Sequence, residues 1–249
     1  MGMESSRGVV LITGASAGLG EEMARQFAAL GYDLALCARR VDRLETLRAE
    51  LTGTRVSVKA LDVTDDEAVF TVFREFAAEF GRIDRVIVNA GLGKGAPLGT
   101  GRPDANRDTA RVNFLGALAQ MEAACEIFRA QKRGHLVVVS SMSALRGMRK
   151  SMTTYAATKA GVAALAEGLR SERIPGVDVS VVYPGYIRSE MNAHVQQRTR
   201  FMVDTETGVR AMVAAIEKRR ARAYVPAWPW VPIGVAMRVL PLSVVRRMA

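Results

Sequence analysis

Leu11-Ile12-Thr13-Gly14-Ala15-Ser16-Ala17-Gly18-Leu19-Gly20 closes the first apolar run of the chain and opens its first helical one. Two chemistries fit it. Gly14-Ala15-Ser16-Ala17-Gly18 matches the G-x-S-x-G elbow that presents a nucleophilic serine. Gly14, Gly18 and Gly20 equally suit a loop that wraps backbone N–H groups around a dinucleotide pyrophosphate. Position separates the two. An elbow draws an oxyanion-hole amide from a loop after an earlier strand, and only thirteen residues precede Gly14. The two histidines, His135 and His194, have no evident acidic orienter. The cofactor reading uses more residues: Gly14 for the tight turn, Gly18 for backbone approach to phosphate, and Gly20 for close helix–sheet packing. Ser16, Ala17 and Leu19 fill that same loop.

Working outward, short apolar runs alternate with helical-period segments. Strands are expected at Val9–Ile12, Asp33–Ala38, Arg55–Ala60, Arg85–Val88, Leu136–Val139 and Val177–Val182, with a seventh ending near Pro226. Helices are expected at Glu21–Leu30 and Val41–Leu51, after a Thr64/Glu67 capping box, and at about 107–131 and 153–172. Strands apolar on both faces that alternate with helices specify an α/β fold, a doubly wound parallel sheet with helices on both sides. Residues 1–226 read as one dinucleotide-binding and catalytic domain, and 227–249 as an apolar, basic extension.

The 249 residues are 49% hydrophobic and 24% charged, the balance of a soluble globular domain. Cys37 and Cys125 lie inside apolar runs, so neither a disulfide framework nor a Cys-based metal site is expected, and no metal. With no signal peptide or 18-residue apolar span in view, a cytoplasmic location is expected. The net charge of +10 concentrates late: residues 188–249 hold 11 basic and 4 acidic residues. No basic stripe with interleaved aromatics accompanies it, so nucleic acid is not an expected partner.

A second constellation is Tyr155-Ala156-Ala157-Thr158-Lys159. At i and i+4 on a helix the phenol and the ammonium share a face. A cation beside a phenol whose ordinary pKa is about 10 favours phenolate and draws the group toward working pH, as acid–base chemistry requires.

The chain now resembles the short-chain dehydrogenases/reductases, over residues 8 to about 226. The resemblance rests on Thr13-Gly14-x-x-x-Gly18-x-Gly20, Asp62-Val63, Asn89-Ala90-Gly91, Asn113, Ser140-Ser141, Tyr155-x-x-x-Lys159 and Pro184-Gly185-Tyr186-Ile187-x-Ser189, in that order. It implies a Rossmann-like sheet of about seven strands, a homodimer or homotetramer, and hydride transfer between a nicotinamide and a carbonyl or alcohol carbon. Under it Tyr155 protonates the carbonyl oxygen, and Lys159 holds the nicotinamide ribose and lowers the Tyr155 pKa. Ser141 bonds the substrate oxygen, and Asn113 supports a water chain. Asp62 and Val63 face adenine, Asn89-Ala90-Gly91 line the adenosine ribose, Ile187 and Ser189 contact the carboxamide end, and Pro184 and Gly185 join them in binding the cofactor. Relatives specific for NAD place a carboxylate after the second strand; here Arg39 and Arg40 stand there, which favours NADP(H) over NAD(H).

The match is imperfect. Ser141 lies 14 residues before Tyr155, where the family usually has 13, so Ser141 with one extra loop residue or Ser143 holds the substrate; strand register favours Ser141. Met191, Val195, Phe201 and Met202 make the expected lid, Tyr186 to Asp204, partly apolar, which fits a hydrophobic substrate. A catalytically idle member, sensing cofactor or acting as a scaffold, is the rival function. The tail carries both tryptophans, four of the eight prolines and, from 218 on, seven cations and no acid. Two readings stay open: packing over the cleft or a subunit interface that buries Trp228 and Trp230, or peripheral membrane contact. Prolines 229, 232 and 241 argue against a clean helix.

Overall fold

The computed structural model describes residues 6–93, 95–190 and 201–248. Seven strands, β1 (Val9–Thr13), β2 (Asp33–Ala38), β3 (Val56–Ala60), β4 (Arg85–Val88), β5 (Gly134–Val139), β6 (Val177–Pro184) and β7 (Arg222–Val225), form one sheet. All pairs are parallel, in the order β3-β2-β1-β4-β5-β6-β7. The order reverses between β1 and β4, so the loops leaving those strands diverge and open a crevice at their C-terminal ends.

Side-chain alternation sends successive strand residues into two cores. Leu11, Val86, Val88, Leu136 and Val138 face one, covered by α3 (Asp66–Phe80), α5 (Gly116–Gln131) and α6 (Met152–Ser171). Val10, Ile12, Ile87, Val137 and Val139 face the other, covered by α1 (Gly18–Ala29), α2 (Val41–Glu50) and α7 (Thr205–Glu217). The expected doubly wound sheet is therefore present. At its opposite, N-terminal edge, Arg85 Nε donates to His135 Nδ1 at 3.0 Å, and His135 Nε2 meets Ser180 Oγ at 2.8 Å. Burial and the Arg85 cation push the His135 pKa down to about 3. This histidine is a neutral core group at the wrong end of the sheet to serve Ser16; His194 falls outside the described residues.

Some local expectations need correction. The helix placed at 107 begins earlier, as α4 (Pro103–Ala110), with Pro103 in its first turn where a missing N–H costs nothing. It runs through a wide π-turn, Arg111–Leu115, into α5. Asp65, not Thr64, caps α3: Asp65 Oδ1 accepts from the Ala68 N–H at 3.0 Å. The Thr64 hydroxyl is committed elsewhere, donating to Asp62 Oδ1 at 2.8 Å.

The proline-rich tail is helical, as α8 (Ala227–Val239) and α9 (Leu242–Met248). Trp228 has non-helical backbone (φ −100°, ψ 131°). Helix geometry is thus regular only from Pro229, and Pro232 falls among the first-turn residues, whose N–H groups lack intrahelical acceptors anyway. Pro241 directly precedes α9. The tryptophans part company. Trp230 is buried with its indole against Gly185, whereas Trp228 is 78% exposed.

Candidate active site

The glycine loop follows β1 and gives way to α1 at Gly18. Gly14 has φ +64°, and a Cβ there would stand 2.9 Å from Ala90 Cα. A Cβ on Gly20 would lie 2.3 Å from the Gly14 carbonyl oxygen. The loop therefore packs backbone to backbone, and only glycine allows it. At the α1 N-cap, Ala17 has no side-chain acceptor for the first-turn N–H groups, which leaves them facing the crevice as an anion site. Thr13 ties both walls together: its Oγ1 accepts from the N–H of Asn89 at 3.0 Å and of Ala90 at 3.1 Å. Asn89 Nδ2 returns a bond to the Thr13 carbonyl at 2.9 Å. A cradle of this shape, with no room for a Cβ at Gly14 or Gly20 and no side-chain cap on the helix start, fits a dinucleotide pyrophosphate.

Arg39 and Arg40 follow β2 at the adenosine end. Arg39 Nη1 stands 4.0 Å from Asp62 Oδ2. Burial alone would raise the Asp62 pKa, but hydrogen bonds from the Thr64 N–H and hydroxyl, with the Arg39 charge, hold it below the usual value. Arg40 Nε donates to Ser16 Oγ at 3.3 Å, so this side chain reaches across the glycine loop. Its Nη1 pairs with Glu190 at 3.1 Å, and Arg43 pairs with the same carboxylate at 2.5 Å. Glu190 was not foreseen, since its partners lie about 150 residues away in sequence and no local pattern signals them. The side chains of Val63 and Ile187 turn into the two cores rather than the crevice, because their apolar surface gains more from burial there. Ser189 approaches the loop: a Cβ on Gly18 would touch Ser189 Cβ at 3.4 Å.

The proposed chemistry lies at the ends of β5 and α6. Ser140 Oγ donates to the Lys159 carbonyl at 2.8 Å, fastening the strand end to the helix. The Ser141 hydroxyl lies near the Tyr155 phenol and favours its ionised form. Ser143 Oγ donates to Ser141 Oγ at 3.0 Å, and the Ser143 N–H stands 3.2 Å from the same oxygen. Ser143 thus orients Ser141 from behind. Removing the Ser141 hydroxyl deletes the group expected to bond the substrate oxygen; Ser141→Ala is expected to cut kcat/KM by about 10- to 100-fold, the worth of one such bond. Ser143→Ala should cost only a few-fold, and steady-state kinetics of both variants would expose a reversed ranking.

Lys159 is buried, with Nζ donating to the Val139 carbonyl at 2.9 Å. Two of its three donors stay available to a ligand. Asn113 sits in the π-turn, whose extra residue turns it inward, where it clamps Leu92. Its Oδ1 accepts from the Leu92 N–H at 2.6 Å, and its Nδ2 donates to the Leu92 carbonyl at 2.8 Å. Gly91 stands between: a Cβ there would be 3.3 Å from Asn113 Oδ1 and 3.6 Å from Lys159 Nζ.

One electrostatic expectation is not met. Burial pushes the Tyr155 phenol above its usual pKa, only partly opposed by the nearby Ser141 hydroxyl. Lys159 Nζ lies 6.0 Å from the centroid of the Tyr155 ring and spends its nearest bond on Val139. Burial lowers Lys159 itself from 10.5 to about 8. The unfolded chain, with the ordinary lysine pKa, binds more protons between about 8 and 10.5, so folding stability should rise with pH in that interval. Denaturation of the ligand-free protein at pH 7 and pH 9.5 should show this gain, about 2 kcal/mol. Lys159→Met should flatten the pH dependence; an unchanged slope would refute it.

Comparison with known proteins agrees with this geometry. The short chain dehydrogenase family model matches residues 8–200. An uncharacterized oxidoreductase of Mycobacterium tuberculosis is 51% identical, over 98% of both chains. The solved alcohol dehydrogenase of Thermococcus sibiricus, complexed with 5-hydroxy-NADP, has TM-score 0.77 and 29% identity, covering 87% of this chain and 94% of that one. A short-chain dehydrogenase/reductase of Burkholderia phymatum, in complex with NAD, shares the fold with TM-score 0.82 at 21% identity, over 100% and 97% of the two chains. With the parallel sheet and the glycine cradle already in view, the chain belongs to the short-chain dehydrogenase/reductase family and is an NAD(P)-dependent oxidoreductase.

Proposed function

We propose that the protein reduces a ketone, or oxidises the corresponding secondary alcohol, with NADP(H) preferred over NAD(H). The observation that carries this reading is the convergence of Ser141, Tyr155 and Lys159 beside a glycine cradle bordered by Arg39 and Arg40. The bound nicotinamide supplies or accepts the hydride. Ser141 donates a hydrogen bond to the substrate oxygen and polarises the carbonyl. Tyr155, whose raised pKa keeps its proton on the phenol at neutral pH, gives that proton to the oxygen as the carbon is reduced. Lys159 offers its remaining N–H donors to the nicotinamide ribose, and Asn113 fixes the backbone of Leu92 beside it.

Gly14, Ser16, Ala17, Gly18, Leu19 and Gly20 would hold the pyrophosphate, with Asp62, Val63, Asn89, Ala90 and Gly91 along the adenosine. Pro184, Gly185, Ile187 and Ser189 would serve the carboxamide end, Val63 and Ile187 through backbone. Arg39 and Arg40 would take the 2′-phosphate, with Arg40 exchanging its Glu190 partner for it. The exposed Tyr186 and Phe201, within the expected lid, support an apolar substrate; Met191 and Val195 lie outside the described residues. Residues 1–226 would carry both cofactor and chemistry, in a cytoplasmic homodimer or homotetramer, with 227–249 as an extension.

Consumption of NADPH and of NADH with a panel of aliphatic and aromatic ketones tests the reading. Turnover with NADPH at least tenfold above NADH supports it. NADPH binding without turnover of any ketone or alcohol would favour the idle family member.

A further inference from the structure

We infer that the outer face of the C-terminal helices docks the enzyme onto an anionic lipid surface. Arg238 is the only charged residue among Ala227–Val239. Its inner side is accounted for: Trp230, Gly234 and Met237 are buried, with Trp230 on Gly185 and Gly234 facing Leu145 and Met142. Its outer side is not. Val231, Val235 and Val239, at successive i, i+4 positions, form an exposed row, and Val239 is 72% accessible. Trp228 extends the row at one end and Leu242 of α9 at the other, both exposed. A helix apolar on every side is a buried helix, and this one has half its circumference in water.

Charge selects the occupant. The face lies where two acid-free stretches of sequence meet, 127–166 and 218–249. They come together where the Met142–Leu145 turn packs on α8. Arg238 lies on α8, Arg146, Arg149 and Lys150 follow that turn, and Arg246 and Arg247 follow in the sequence of α9. A second copy pressed onto this face would set the cations of these two stretches against their own kind, with no acid in either stretch to answer them. Phospholipid headgroups of negative charge supply what is missing, while the apolar row and the indole enter the headgroup–acyl boundary. The regular part of α8, Pro229–Val239, makes a helix of about 16 Å, so it lies in the surface rather than crossing it. No helix among the described residues is long and apolar enough to cross a membrane.

Co-sedimentation of the full chain with vesicles tests this. Binding is expected at low salt to phosphatidylcholine vesicles containing phosphatidylglycerol, and at least tenfold less to phosphatidylcholine alone or at high salt. The double substitution Val235→Glu and Val239→Glu should reduce the bound fraction at least tenfold, with Trp228→Ser as an independent milder change. Both variants should keep the elution volume and the NADPH affinity of the parent, because these side chains are exposed. Failure of the full chain to bind anionic vesicles at low salt overturns the inference. So does a double variant that binds as well as the parent, or one whose particle mass falls to that of a smaller oligomer, which would make this face a contact between copies.

Discussion

Tyr155→Phe is expected to lower kcat by about 10²- to 10⁴-fold, the usual worth of a positioned general acid. The substitution keeps the ring, and with it the packing above Lys159, but removes the hydroxyl that meets Ser141. The carbonyl oxygen then has Ser141 to polarise it and no group to protonate it. Affinity for NADPH should change by less than about twofold, because Lys159 keeps its bond to the Val139 carbonyl and its two unspent donors. Stopped-flow binding and steady-state turnover separate the two effects. A variant retaining a tenth of the parental kcat would mean that another group, or water, delivers the proton.

Arg39→Asp should reverse the cofactor preference. A charge-assisted bond to phosphate is worth about 1.5–3 kcal/mol, and each 1.4 kcal/mol is a factor of ten, so losing one or two such bonds costs NADPH about 100-fold in kcat/KM. The introduced carboxylate adds repulsion against the 2′-phosphate while offering the 2′-hydroxyl of NADH an acceptor. Arg39 is the more telling position because its side chain is largely exposed, bound only loosely by Asp62 at 4.0 Å. Arg40 is engaged by Ser16 and Glu190, so its loss would also disturb the loop. Equal kcat/KM for the two cofactors in the parent enzyme would remove the basis of the prediction.

The glycine loop, the strand pattern and the Tyr155–Lys159 pair were legible in the sequence because each is a local constraint. A residue spacing fixes a helix face, and an apolar run bounded by turns fixes a buried strand. Thr13 could have been read as a hub, since a hydroxyl at a strand end beside a glycine turn has few other uses. The Glu190 pairing with Arg40 and Arg43 could not, because it joins chain segments that only the fold brings together. The tail misled for a different reason. Three prolines argue against a helix only where their missing N–H groups are needed, and the extended backbone at Trp228 moves the helix start so that two are harmless. The upward shift of Tyr155 was hidden because spacing shows which charge is near but not how much water is excluded.

The division of labour between Trp228 and Trp230 makes α8 its own optical reporter. The protein has two tryptophans, two residues apart, one 78% and the other 6% exposed. Indole emission moves to longer wavelength in water and to shorter wavelength in apolar surroundings, so the native spectrum should contain both a red and a blue component. Detachment of the helix from Gly185 would wet Trp230 and move its emission red. Coverage of the outer face would dry Trp228 and move its emission blue. Opposite events on opposite sides of one short helix therefore carry opposite signs in a single spectrum, and Trp228→Phe and Trp230→Phe assign each component to its side.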